Sequence, residues 1–251
     1  TNLDVVEIDG ALTQDGGAVF NEAGIDADFR VESDGDANML FVDGGNNLVG
    51  IGTDSPNSYY SKKLVVSAPD ENGITIVGTT SSYNYLMFAD GTSGDATYRG
   101  YLGYDHADDS MVFATAATNR LRIDSSGNVL VGKSASNSTV AGSQLNANGL
   151  IIGTTSETNP LLLNRLSTDG AIAVFQKAGA AVGSIGTVSG RLGIGTGDAG
   201  LFFDDDNNKI GAVTMASGTP VDSNGVLDLG YSGGRFKDLY LSGGVYLGGT
   251  G

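Results

Sequence analysis

The sequence has no cysteine, no tryptophan, a single histidine and four prolines, and its 13 Lys and Arg face 29 Asp and Glu. Each shortage removes a class of function. Without cysteine there is no disulfide scaffold, no thiolate metal site and no thiol nucleophile. One imidazole, His106, leaves little room for a histidine-based zinc centre or a repeated acid–base system. A formal net charge of −16 rules out a grip on nucleic acid, because phosphate binding requires a concentrated basic surface. Glutamate is scarce as well, the acids dividing into 24 Asp and 5 Glu. Asp bonds to its own local backbone and favours turns, whereas Glu favours helices, so this balance argues against a helical protein. No stretch of about 18 apolar residues occurs, so no helix of this sequence spans a bilayer. The opening residues Thr1-Asn2-Leu3-Asp4 show neither a basic region nor an apolar run of the secretory kind.

Glycine is what the chain has in plenty, at 40 of 251 residues. It follows Asp or Asn at Asp43-Gly44, Asp90-Gly91, Asn148-Gly149 and Asp169-Gly170, dipeptides that accept the positive φ of tight hairpin turns. Between such points lie β-branched runs of strand length, including Leu64-Val65-Val66, Ile74-Thr75-Ile76-Val77, Leu121-Arg122-Ile123 and Val129-Leu130-Val131. The Ala-rich stretch 171–181 is a helix candidate by composition, but Gly179 interrupts it and Ile172-x-Val174 alternates like a strand. Apolar residues make up 40% of the chain and recur in clusters, which excludes a disordered polymer. The fold class is all-β.

A repeated unit underlies the punctuation. Val49-Gly50-Ile51-Gly52-Thr53 is echoed by Val129-Leu130-Val131-Gly132-Lys133, by Leu150-Ile151-Ile152-Gly153-Thr154 and by Leu192-Gly193-Ile194-Gly195-Thr196. Leu227-Asp228-Leu229-Gly230 and Val245-Tyr246-Leu247-Gly248 are weaker copies. Spacing between copies is uneven, which argues against a solenoid of fixed period. The apolar–any–apolar step puts two side chains on one strand face, and the glycine lets the backbone turn or meet another closely. Units of this kind carry thin apolar stripes and exposed edges, which several identical chains around an axis would cover. The sequence therefore predicts obligate assembly, with a three-fold arrangement favoured.

At this point a family resemblance emerges. Asn46-Asn47-Leu48-Val49-Gly50-Ile51-Gly52-Thr53, with Pro56 beyond it, and Arg120-Leu121-Arg122-Ile123-Asp124-Ser125-Ser126-Gly127-Asn128-Val129 resemble the shaft repeats of bacteriophage tail fibres and tailspikes. The run 229–245, from Leu229-Gly230-Tyr231 through Phe236-Lys237-Asp238 to Val245, is similar to the segment such proteins place before a C-terminal, endosialidase-type intramolecular chaperone. Tyr104-Asp105-His106 with Met111-Val112-Phe113 also resembles a fibre-family pattern. The resemblance implies an elongated homotrimeric fibre of short strands and Gly turns, carried extracellularly on a virion. Its implied partners are other virion tail proteins and a host cell-surface glycan or protein, with no nucleic acid, no membrane insertion and no cofactor. The expected role is structural and adhesive. The alternative within the same family is a polysaccharide-degrading tailspike, a glycosidase or lyase. That chemistry needs two carboxyl groups about 5–10 Å apart in a cleft, and no pair stands out among Asp residues spread over turns.

On this reading, residues 1–57 form an N-terminal β shaft segment, 58–136 a more globular β insert, and 137–251 a Gly-rich C-terminal shaft segment. The insert concentrates aromatic residues. Tyr83, Tyr85, Tyr98, Arg99, Tyr101, Tyr104 and His106 are the candidate receptor contacts. Tyrosine offers a rigid amphipathic surface on which the C–H faces of sugar rings stack, while Asp90, Arg99, Asp105 and His106 are close enough in sequence to orient hydroxyls. The alternative is that Tyr83-x-Tyr85 and Phe88 are simply the packed face of a strand.

Three further motifs have plainer readings. His106, Asp108 and Ser110 crowd into one short stretch, but a hydrolytic triad is defined by geometry and its members usually come from separate parts of a chain. Asp34-Gly35-Asp36-Ala37-Asn38 and Asp204-Asp205-Asp206-Asn207-Asn208 offer oxygen-rich loops of the kind calcium prefers, or solvated turns. Counting from Asp34, the twelfth position that an EF-hand fills with Glu is Gly45. Gly195-x-Gly197-x-x-Gly200 matches a dinucleotide fingerprint by letter, yet that motif works only where a helix follows. No catalytic, cofactor or metal residue is assigned from the sequence.

Overall fold

The computed structural model describes residues 8–20, 24–68, 73–215, 221–246 and 248. Residues 1–7, and Leu247 of the last repeat copy, lie outside the described residues. The described chain is all-β: 17 strands in three sheets, with two short 3-10 turns at Pro56–Ser58 and Gly94–Tyr98. None of its helices is long and apolar enough to cross a membrane. Two compact units are formed, one from Thr1–Ser136 with Gln144–Leu150, the other from Asn137–Ser143 with Ile151–Gly251.

The first unit opens with β1 (Phe29–Val31), β2 (Leu40–Asp43), β3 (Leu48–Ile51) and β4 (Leu64–Val66), paired in that order. The β1–β2 and β2–β3 pairs are antiparallel and β3–β4 is parallel. A meander follows, in which β5 (Tyr83–Phe88), β6 (Gly100–Asp105), β7 (Ser110–Thr115), β8 (Thr118–Ile123) and β9 (Val129–Val131) pair antiparallel with their neighbours in sequence. β10 (Gly142–Leu145) and β11 (Ile151–Thr154) come next along the chain. The second unit is another meander: β12 (Gly170–Lys177), β13 (Ala180–Val188), β14 (Arg191–Thr196), β15 (Ala199–Asp204), β16 (Lys209–Thr214) and β17 (Val221–Asp222). The Ala-rich stretch is thus strand, turn and strand, reversing at Ala178-Gly179.

The turns rest on Asp more than on Asp-Gly. At the end of β2, Asp43 accepts the backbone N–H of Asn46 at 2.8 Å and its side-chain amide at 2.9 Å. Asp204 at the end of β15 does the same with Asn207, both at 3.1 Å. Asp124 after β8 takes the N–H groups of Ser126 and Asn128 and the Asn128 amide. Three hairpin turns are therefore closed by a strand-end Asp reaching an Asn three or four residues on, the turn mimicry expected of short polar side chains. Asp204-Asp205-Asp206-Asn207-Asn208 is one of these hairpins, and Arg191 and Lys209 lie 3.4 and 3.5 Å from its Asp204 carboxylate. Asp34–Asn38 is the turn between β1 and β2, where Asn38 N–H donates to Asp36 at 2.7 Å. Gly195–Gly200 forms the β14–β15 hairpin, with Gly197 at φ 49° and a strand where the nucleotide motif requires a helix.

The two faces of each sheet differ. In the second unit, Val188, Phe202, Val213 and Met215 form a buried cluster on one face. Arg191 lies 4.0 Å above the Phe202 ring and pairs with Asp222 at 2.7 Å, closing the edge of the cluster. The opposite face carries two cross-strand rows, Thr187–Leu192–Phe203–Ile210 and Ile185–Ile194–Leu201–Ala212. Leu192, Ile194, Leu201, Phe203 and Ile210 in these rows are exposed. The β5–β9 sheet repeats the arrangement. Val112 and Leu130, 1% and 0% exposed, stand on one face. Leu86–Leu102–Phe113–Leu121–Val131 run straight across the other, with Leu86, Phe113 and Val131 exposed. In the β1–β4 sheet the corresponding row is Phe29–Val42–Val49–Leu64, opposite the buried Phe41 and Val65. The repeated sequence motif explains this asymmetry. In three of its four full copies the paired apolar residues, Val49/Ile51, Val129/Val131 and Leu192/Ile194, fall on the less buried face; in the fourth the middle residue, Ile151, is the more exposed.

Candidate functional site

The aromatic residues singled out by the sequence are distributed by the pleat of the β5–β9 sheet. Side chains alternate along a strand, so positions of opposite parity face opposite ways. Tyr83 and Tyr85 on β5 and Tyr101 on β6 share one face, in register with Asp105, Gly103 and Met87. Tyr104 on β6 belongs to the other face, in register with Asn84 and Met111, and His106 meets its ring edge-on at 4.8 Å. Tyr98 and Arg99 end the 3-10 turn between β5 and β6, where Tyr98 donates to Asp95 at 2.8 Å and Arg99 to Asp90 at 3.3 Å. Seven candidates therefore resolve into a ladder of three tyrosines, an opposite-face pair and a turn.

The ladder is an ordered surface. Tyr83 stacks parallel to Tyr85 at 5.4 Å with 4° between planes, and Tyr85 meets Tyr101 edge-to-face at 5.2 Å and 80°. Both geometries are the ones aromatic quadrupoles favour. Gly103 makes the seat for this arrangement, since a Cβ there would lie 2.9 Å from Tyr85 Cδ1. The ring rests directly on the strand because that side chain is missing.

Polar groups frame the ladder. The Tyr83 hydroxyl hydrogen-bonds to the Asp105 carboxylate, and this bond, with desolvation and the neighbouring acids, pushes the phenol up to about 12. The same bond is the chief reason that Asp105 titrates lower than usual, with the Ala107 N–H at 3.0 Å a lesser contribution. Tyr101 donates to Asn119 on β8, and Arg122 on β8 pairs with Asp108. Tyr83 and Tyr85 remain partly exposed. The resulting surface is a row of rings bordered by a carboxylate, an amide and a guanidinium, which can stack on an apolar ring face and exchange hydrogen bonds with hydroxyls around it. Asn119 and Arg122 were missed by the sequence reading; only their place two strands away in the meander brings them to the ladder.

The remaining motifs are placed differently. Ser110 is fully buried and its hydroxyl donates to Asp108 at 2.8 Å, while His106 lies against Tyr104. Among the described residues no three His, Asp or Glu side chains are grouped closely enough to hold a metal ion. On the opposite face, a groove of about 680 Å³ is lined by Leu86, Phe88, Arg99, Leu102, Phe113 and Thr115.

Comparison with protein-family models, with curated proteins and with solved structures finds no match to this chain.

Proposed function

We propose that this chain is a structural and adhesive component of a bacteriophage tail fibre, an elongated homotrimer that extends from a virion and contacts a host-surface glycan through the tyrosine ladder. The observation that carries this reading is the exposed apolar row on each of the β5–β9 and β13–β16 sheets, which gives a lone chain little interior and a group of chains a shared one. The repeat motifs and the run 229–245 support the assignment to the fibre class. The ladder supports adhesion: each ring offers a rigid stacking surface, and three copies at one site multiply a weak contact by avidity. The formal net charge of −16 keeps such fibres apart from one another.

The test has two arms. Light scattering should give a mass of three chains of 25.5 kDa each. Glycan-array binding should be lost in Tyr85→Ala and retained in Tyr60→Ala, which changes a fully exposed ring elsewhere. A stable single chain would overturn the fibre reading. Glycan binding that survives Tyr85→Ala would move adhesion away from the ladder.

A further inference from the structure

We infer that the tyrosine ladder takes an uncharged saccharide and excludes acidic ones, with the Tyr85 hydroxyl and the Asn119 amide as the groups that read sugar hydroxyls; the inference rests on the adhesive reading above and names its class of glycan. Most polar groups around the ladder are already committed. The Tyr83 hydroxyl donates to Asp105, and the Tyr101 hydroxyl donates to Asn119 Oδ1. Between these two rings stands Tyr85, its centroid 5.4 Å from that of Tyr83 and 5.2 Å from that of Tyr101. Among the described residues its hydroxyl has no hydrogen-bond partner, and neither has the Asn119 amide nitrogen. Both residues are exposed. The open groups are therefore a phenol that can donate and accept and an amide that donates, and both are neutral.

The charged groups beside the ladder are closed to a ligand. Arg122, in register with Val112 on the ladder side, is paired with Asp108, and only 17% of its side chain is exposed. Asp108 also accepts the Ser110 hydroxyl at 2.8 Å. Asp105 is 6% exposed and takes both the Tyr83 hydroxyl and the Ala107 N–H. An acidic sugar would find this guanidinium already neutralised and would bring its own charge up to two carboxylates, an unpaired and repulsive placement. Tyr83 already responds to that field. Its phenol is held up first by the hydrogen bond to Asp105, then by desolvation and by the charges of Asp105 and Asp108, against the weaker pull of Arg122. A basic sugar fares little better, because the buried Asp105 leaves an ammonium little to approach. An uncharged saccharide needs no counter-ion: its C–H faces lie on the rings, and its hydroxyls exchange hydrogen bonds with the phenol and the amide.

Binding of the full chain to a glycan array spanning neutral and acidic oligosaccharides tests this, with oligogalacturonate and its methyl ester added as a pair that shares its sugar rings and differs in charge. Uncharged members should bind about ten-fold or more tighter than their acidic counterparts at low salt, and the gap should narrow as salt screens the carboxylates. Tyr85→Phe keeps the ring and removes only the open hydroxyl. It should weaken binding of uncharged saccharides about three- to ten-fold, with the mass and the β-type dichroism unchanged. Tyr98→Phe, which removes a hydroxyl bonded to Asp95 in the turn, should leave binding as it is. Equal or tighter binding of acidic members, lost in Tyr85→Ala, overturns this assignment and keeps the ladder as the adhesive surface. Undiminished binding by Tyr85→Phe overturns it as well. No binding anywhere on the array overturns the adhesive reading and this inference with it.

Discussion

Two glycines on the same face of the same sheet should respond in opposite directions to the same substitution. Gly193 on β14 and Gly200 on β15 both line the Val188, Phe202, Val213 and Met215 cluster, and neither sits at positive φ. Replacing either by Ala restricts the unfolded chain and on that account stabilises by about 0.4–1 kcal/mol. The folded side differs. A Cβ at Gly193 would lie 3.4 Å from Val188 Cγ1 and 3.6 Å from Met215 Sδ, which is ordinary contact. At Gly200 it would lie 2.9 Å from Met215 Cγ, 3.0 Å from Val213 Cγ1 and 3.1 Å from the Ile194 carbonyl oxygen. Met215 can swing, but Val213 is 0% exposed and the carbonyl belongs to the paired strand. Overpacking of this kind costs about 1–3 kcal/mol. Gly193→Ala should therefore be neutral to mildly stabilising, and Gly200→Ala destabilising by about 0.5–2 kcal/mol net. Urea denaturation followed by far-ultraviolet dichroism resolves the difference as midpoints separated by about 1 M. Protein concentration must be held fixed, since association shifts apparent stability. Adding Met215→Ala to Gly200→Ala should recover part of the loss, a coupling that independent sites would not show. Equal midpoints for the two alanine variants would refute the packing described for this cluster.

Further outcomes follow from the same geometry. Leu130, fully buried on the ladder side of its sheet, should cost about 2–5 kcal/mol when cut to Ala, measured by urea midpoint, whereas its exposed neighbour Val131→Ala should cost far less in a chain held dissociated. Asp169 is held below the usual carboxylate range chiefly by the Gly190 N–H, aided by Thr187, Ser189 and Arg191 against an opposing desolvation. Its folded value being depressed, its contribution is present above an unfolded value of about 3.9 and lost as pH falls through the folded one. Asp169→Asn should accordingly flatten the acid limb of stability against pH. The Tyr83 phenol should ionise near 12, and Asp105→Asn should return it toward the ordinary 10.0, followed by ultraviolet absorbance during an alkaline titration.

The strands were legible in the sequence to different degrees. Val129-Leu130-Val131, bounded by Asn128 and Gly132, and Leu64-Val65-Val66, bounded by Lys63 and Ser67, read as strands because short β-branched runs between polar or glycine residues leave little choice. The Ala-rich stretch read correctly once alternation outweighed composition. Turns were less legible. Asp43-Gly44 and Asn148-Gly149 are turns, but β7 and β8 are joined through Ala116-Ala117, both at positive φ, with Ala117 N–H on the Arg99 carbonyl. Alanine carries no local signal for that conformation; the register of the flanking strands imposes it. The Asp-to-Asn closure was not read from the sequence, and its instance at Asp204 was left open between a cation loop and a solvated turn because the letters of the two are alike. The candidate site was legible as composition and not as geometry. Seven residues within a short span looked like one cluster, yet the two-residue period of a strand sends Tyr101 and Tyr104 to opposite sides.

That division by parity links sequence pattern to assembly. An apolar–any–apolar step needs only one good residue between its two apolar ones to cover a private core, and Leu130 fills that role in β9 while the flanking Val129 and Val131 face away. In β14 the middle residue is Gly193, so the private side is thinner still, and Val188 and Met215 fill the space beside it. In the β5–β9 and β13–β16 sheets apolar residues thus stand on both sides, Leu130 and Phe202 on the buried one and Phe113, Leu192 and Ile194 on the exposed one. A sequence under pressure to fold alone would have carried polar residues on the exposed one. The charge pattern points the same way: the rows Leu86–Leu102–Phe113–Leu121–Val131 and Ile185–Ile194–Leu201–Ala212 hold no charged residue although the chain carries a formal −16. Neither feature stabilises an isolated molecule. Together they are what the proposed assembly of copies would require.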